Sequence, residues 1–188
     1  MGKKVIFLIS IIVVLLLGSG GVFYWWQNQA DVRDLNKTLP VGVRVEKSLA
    51  GEDKVVNDID GYEFKVPKEW RGVSEVEYVP EREEKGYQGT SIGLRGKEGG
   101  STIVSIDFFK AGGHDGDLTS WAKNFFNTFG LVGEFYKDTV QEFEIIKTQE
   151  NVHLLGAFVY IFKKESTIYS VTNGSEDFIR YIITNGKW

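Results

Sequence analysis

The 188-residue chain predicts an α+β fold, an antiparallel β-sheet with helices packed on it, preceded by one N-terminal transmembrane helix. Three observations carry that expectation. The first residues include a long run without charge, several later segments alternate strictly between apolar and polar residues, and one stretch, residues 118–129, changes to the period of a helix.

The uncharged run covers residues 5–26, VIFLISIIVVLLLGSGGVFYWW. As a helix it is long enough for a hydrocarbon core of about 30 Å. Lys3 and Lys4 precede it, and Tyr24, Trp25 and Trp26 close it where an interfacial aromatic belt lies. Gly18, Ser19 and Gly20 offer the small residues of a cleavage site, but the apolar run continues past them, so residues 1–26 read as an uncleaved signal anchor. The lysine pair favours a cytoplasmic N-terminus and so an extracytoplasmic C-terminal domain. Residues 27–52 are polar, with scattered glycine, one proline and no periodicity, and read as a linker. Residues 53–188 read as one domain, since the composition supplies apolar surface for a single core.

Within the domain, Tyr62, Phe64 and Val66 alternate with Glu63 and Lys65, giving a strand with one buried face that must end or lie on an edge at Pro67. Ser74, Val76 and Tyr78 repeat the pattern against Glu75 and Glu77 until Pro80, and the charged run Glu81 to Lys85 reads as a solvated loop. Ile92 and Leu94 mark a short strand, and Val104, Ile106 and Phe108 share one face of the next. Leu118, Trp121, Ala122, Phe125 and Phe129 then fall on one helical face, with Asp117 as N-cap and Gly130 at the end. Residues 141–148 form a strand, and residues 152–162, VHLLGAFVYIF, are apolar at nearly every position, which predicts a central strand covered on both faces. Residues 167–172 continue the sheet, and residues 175–185 predict a last helix carrying Phe178, Tyr181 and Ile182.

The strand YEFKVPKEW, the helix LTSWAKNFF, the very apolar strand after it and YSVTN ahead of Asp177-Phe178 together resemble the PsbP-like domain family, over about residues 60–184. That family includes the extrinsic photosystem II subunit, small Ran-binding proteins and exported bacterial domains. The resemblance implies a sheet whose first strand ends at Pro67, with Trp70 tucked against the sheet end, both in structural roles. It also implies function through protein contacts. The chain departs from the family at its end, where NGKW follows Ile183 closely and a final strand is missing or replaced.

Composition removes several chemistries. The net charge is -4, and without Lys3 and Lys4 the balance is 20 basic against 26 acidic residues, so no basic surplus exists to neutralise phosphates, which argues against a nucleic-acid partner. The absence of cysteine excludes disulfides, thiolate metal sites and a cysteine nucleophile. His114, Asp115 and Asp117 could hold a divalent ion in a Gly-rich loop, but a helix-capping Asp117 accounts for the same residues. The segment Asn57 to Gly61 lacks the glutamate of a calcium loop and reads as a turn. His153 reads as a structural histidine in the apolar strand, and Glu142 with Glu144 as a solvated strand face. No serine elbow or phosphate loop is present. No catalytic, cofactor-binding or metal residue is therefore assigned. The expected function is that of a membrane-anchored extracytoplasmic domain acting non-enzymatically on a protein partner in the envelope. The alternative is a small-molecule or lipid carrier with its ligand seated between helix and sheet.

Overall fold

The computed structural model describes residues 26, 29–47, 52–97, 104–110, 117–130, 134–148 and 158–188. The anchor of residues 5–26 lies outside these except for Trp26. No helix among the described residues is long and apolar enough to cross a membrane.

Alternation builds two antiparallel sheets. The smaller contains β1 (Val43–Lys47), β2 (Asp53–Asn57), β3 (Tyr62–Lys65) and the two-residue β11 (Gly186–Lys187), in the order β1-β2-β3-β11. The larger contains β4 (Val73–Glu84), β5 (Tyr87–Gly96), β6 (Val104–Lys110), β7 (Phe135–Val140), β8 (Phe143–Thr148), β9 (Phe158–Lys164) and β10 (Thr167–Gly174). Its order is β4-β5-β6-β10-β9-β8-β7. Three short helices, α1 (Ala30–Asn36), α2 (Leu118–Phe129) and α3 (Glu176–Thr184), complete the described elements with one 3-10 turn, Lys68–Trp70.

The fold class expected from the sequence is thereby corrected. The described chain is predominantly β, with two antiparallel sheets in place of a single sheet under helices. One physical reason lies in residues 27–52. Val43 and Val45 alternate over too few residues to stand out in the sequence, yet β1 pairs in full register with β2. Asn36 in α1 locks that edge, its side chain both donating to the Val45 carbonyl at 2.9 Å and accepting from the Val45 N–H at 2.8 Å. The other reason is NGKW, where Gly186 and Lys187 pair with Phe64 and Glu63. Trp188 then stacks on Tyr62 and Phe64 at 5.6 and 6.0 Å.

The large sheet carries a core on each face. On one, the small sheet and α3 bury Val45, Val55, Phe64, Ile179 and Ile182 against Ile92, Ile106, Tyr160, Phe162 and Val171. On the other, Trp121, Ala122 and Phe126 of α2 cover Ile146, Val159, Ile161 and Ile168. Strand β9 serves both cores, Val159 and Ile161 facing α2 while Tyr160 and Phe162 face the small sheet, which explains its lack of a wet face. The turn before β3 is pinned across the sheets by Asp60, whose Oδ2 accepts from Asn57 Nδ2 at 2.7 Å and from Thr90 Oγ1 at 2.8 Å.

Strand β4 runs through Pro80 and the acidic stretch expected to be a loop. It lies at the sheet edge, where a missing N–H is tolerated, and its register shifts between Val79 and Arg82 in a bulge around Pro80. Lys85 and Gly86, at φ 51° and 86°, then make the tight turn into β5. Glu75, Glu77, Glu81 and Glu83 along this free edge discourage pairing with another chain.

Candidate functional site

The bulge in β4 sets the geometry of a hollow beside α2. Beyond it, Arg82 pairs with Gly89 and Glu84 with Tyr87, so both side chains turn to the face that carries α2. A cross-strand row on that face runs from Ser91 through Asp107, Ser170 and Ile161 to Ile146. Its apolar end lies under α2. Its polar end lies past the helix edge, and there a hollow of about 130 Å³ opens over Gly89, Ser91 and Asp107. Phe125 and Phe129 of α2 form one wall, and Tyr87 stands between them and the sheet, 5.0 Å edge-on from Phe125 and 5.7 Å from Phe129.

Helix α2 holds that wall because both of its ends are fixed. Asp117 accepts from the backbone N–H groups of Thr119 and Ser120 at 2.9 and 3.1 Å, and Gly130 closes the helix at φ 68°. Trp121, Ala122 and Phe126 are buried while Phe125 and Phe129 remain half-buried at the rim. Lys85 Nζ already rests 4.8 Å above the Phe129 ring and donates to the Thr128 carbonyl at 3.2 Å.

Asp107 is the chemically unusual group. Burial against the sheet pushes its carboxyl up to about 6, opposed by a hydrogen bond from Ser91 and by the charge of Arg82. The sequence alone left it unnoticed, because Ser105 and Asp107 opposite Val104 and Ile106 read as an ordinary wet face. What distinguishes it is the α2 wall of Phe125 and Phe129 beside it, which the pattern of its own strand does not reveal.

A second groove, of about 340 Å³, lies between the 3-10 turn and α3, lined by Pro67, Glu69, Trp70, Asp177, Phe178 and Tyr181. Its aromatic floor is committed to packing. Trp70 stacks on Phe178 at 4.2 Å with ring planes 13° apart, and a Cβ at Gly96 would fall 2.6 Å from the indole ring.

The densest charge cluster is also structural. Glu176 Oε1 accepts from Tyr160 Oη at 2.6 Å, Lys147 Nζ at 3.0 Å and Arg180 Nε at 3.1 Å. Asp138 accepts from Lys147 at 2.9 Å and from Arg180. Two acids and two bases neutralise one another and tie α3 to β7 and β8. These hydrogen bonds, Tyr160 first, hold Glu176 down from 4.5 to about 2. A depressed carboxylate contributes stability above its unfolded value, and that contribution disappears as pH falls from about 4.5 towards 2. With a side chain 36% exposed, Glu176 is screened by solvent, and Glu176→Gln should cost about 1 kcal/mol at pH 7. Urea unfolding at pH 7 and pH 3 checks it, the difference from the parent chain narrowing at the lower pH.

The residues singled out in the sequence do not converge. His114, Asp115 and His153 lie outside the described residues, and Asp117 spends its carboxylate on the helix cap. Glu144 is exposed and pairs with Lys137 at 2.9 Å. Among the described residues no group of three His, Cys, Asp or Glu side chains could hold a metal ion.

Comparison with known proteins adds no identity to this geometry. No protein-family model, no curated protein and no solved structure matches the chain.

Proposed function

We propose that this chain is a non-enzymatic interaction module, held at a membrane by residues 5–26 with its C-terminal domain on the extracytoplasmic side, which docks a protein of the envelope at the α2 groove. The observation that carries the reading is the aromatic step of Tyr87, Phe125 and Phe129 beside a hollow of about 130 Å³. Ligand chambers usually enclose roughly 300–1,000 Å³, so a space of this size favours a single inserted side chain over a lipid or a small-molecule cargo. Half-exposed aromatic residues such as Phe125 and Phe129, backed by the buried Tyr87 at a side-chain-sized pocket, are the arrangement in which interface energy concentrates. Membership in the PsbP-like family, whose described members act through protein contacts, is part of the proposal and rests on residues 62–70 and 118–126.

The test is crosslinking of the full-length protein in its native membrane, followed by mass spectrometry of what is attached. Phe129→Ala should reduce capture of the specific partner about tenfold or more, while exchange of residues 27–29 should leave it unchanged. Equal capture by the parent and the Phe129 variant would remove α2 from the interface.

A further inference from the structure

Of the groups around the hollow, Asp107 is the one whose charge is least provided for. It sits on the floor, half-buried, with Ser91 beside it on β5. From β4 the charged side chains at the hollow are Arg82 and Glu84, both exposed, and from the following turn Lys85 approaches Phe129. Helix α2 turns only Phe125 and Phe129 to the hollow, and β10 contributes Ser170 by register. Lys85 is engaged by the Phe129 ring and the Thr128 carbonyl. Arg82 acts on Asp107 from the rim, in solvent. A cation entering between them would meet a desolvated carboxylate at the bottom and aromatic rings at the sides, and both favour positive charge.

We propose, on the basis of the interaction reading above, that the hollow is the receptor for one lysine side chain of the partner protein. Its ammonium meets Asp107 and Ser91, and its methylene stem lies against Tyr87, Phe125 and Phe129. Lysine fits better than arginine for two reasons. A hollow of about 130 Å³ suits the compact point charge of an ammonium better than the broader planar guanidinium fork. An apolar stem ending in a compact ammonium also matches a hollow with an aromatic wall of Tyr87, Phe125 and Phe129 beside the polar floor of Asp107 and Ser91. Arg82 is then the resident competitor, displaced outwards when the lysine enters.

The experiment titrates full-length protein in detergent micelles, labelled with 15N-serine, with N-acetyl-lysine methylamide at pH 7.5. The matching norleucine and arginine compounds serve as controls, and the readout is the Ser91 amide shift. The expected result is saturable binding with Kd on the order of 1 mM for so small a ligand. Norleucine should be at least tenfold weaker, and Asp107→Asn should abolish the response. Below about pH 6 the carboxylate takes up a proton, and affinity should fall roughly tenfold per pH unit. Arg82→Ala should bind several-fold more tightly, a gain that a misfolded variant would not give. Equal shifts with norleucine or arginine, survival of binding in Asp107→Asn, or no saturable shift with lysine would each overturn the proposal. The membrane crosslinking separates this failure from that of the interaction reading. A partner captured equally by the parent chain and Asp107→Asn removes the lysine and keeps the module, whereas lysine binding without a captured partner does the reverse.

Discussion

Trp70→Ala is expected to lower the unfolding free energy by about 3 kcal/mol, at the lower end for a buried aromatic truncation because the ring is only partly buried. For a chain of this length about 1 kcal/mol corresponds to a melting shift of about 2–4 °C, so the midpoint should fall by about 6–12 °C. The indole is clamped between Phe178 at 4.2 Å on one side and the Gly96 backbone on the other. It thereby joins the end of β3, the start of α3 and the end of β5. Gly96→Ala attacks the same contact from the opposite direction, since its Cβ would fall 2.6 Å from the ring, and should cost about 1–3 kcal/mol by overpacking. The informative variant is the double one. With the indole gone, the added methyl has room, so the combined loss should be smaller than the sum of the two single losses in urea unfolding. Strict additivity would mean that Gly96 and Trp70 are not in the contact described.

The same residues show what the sequence made legible. Strict alternation ending in a proline predicted that the first strand would stop, and β3 ends at Lys65, with Pro67 opening the 3-10 turn that delivers Trp70. Capping chemistry located α2 to the residue, because an N-cap aspartate and a left-handed glycine are local devices that need no tertiary context. Elements whose stability comes from partners distant in the chain were not legible. Strand β1 offers two buried valines and takes its place by pairing with β2, and β7 (FYKDTV) shows little alternation and is defined by pairing with β8. The run Glu81 to Lys85 looked like a loop because its side chains are solvated, yet the backbone of Arg82, Glu83 and Glu84 is paired with β5. Solvation of side chains and pairing of backbone are independent on an edge strand. The hollow depends on all of these at once: the bulge that turns Arg82 and Glu84, the row that places Asp107 beside Ser91, and the helix that covers the rest of the face.

Asp107→Asn should stabilise the protein, and the pH dependence of that gain identifies its cause. The carboxyl stands at about 6 in the folded chain, against an ordinary value of 3.8. Below about pH 4 the group is protonated in both the folded and the unfolded chain and contributes nothing. Between about 4 and 6 the unfolded chain releases its proton while the folded one retains it, so stability falls as pH rises, and above about 6 the full penalty of a desolvated carboxylate is present. Discounted for the partial exposure of the side chain, that penalty amounts to about 1–2 kcal/mol, or about 2–8 °C in melting temperature for a chain of this length. Asparagine keeps the shape and a hydrogen-bonding partner for Ser91 without the charge. Thermal melts should therefore place the variant above the parent at pH 7.5 and level with it at about pH 3, and a gain that persisted unchanged at about pH 3 would assign the effect to packing. A chain under selection for stability alone has no reason to hold an aspartate at this position when asparagine costs less. Keeping a carboxylate partly out of water at the open end of a groove makes sense when something positively charged arrives there, and the destabilising residue is then the one the interaction requires.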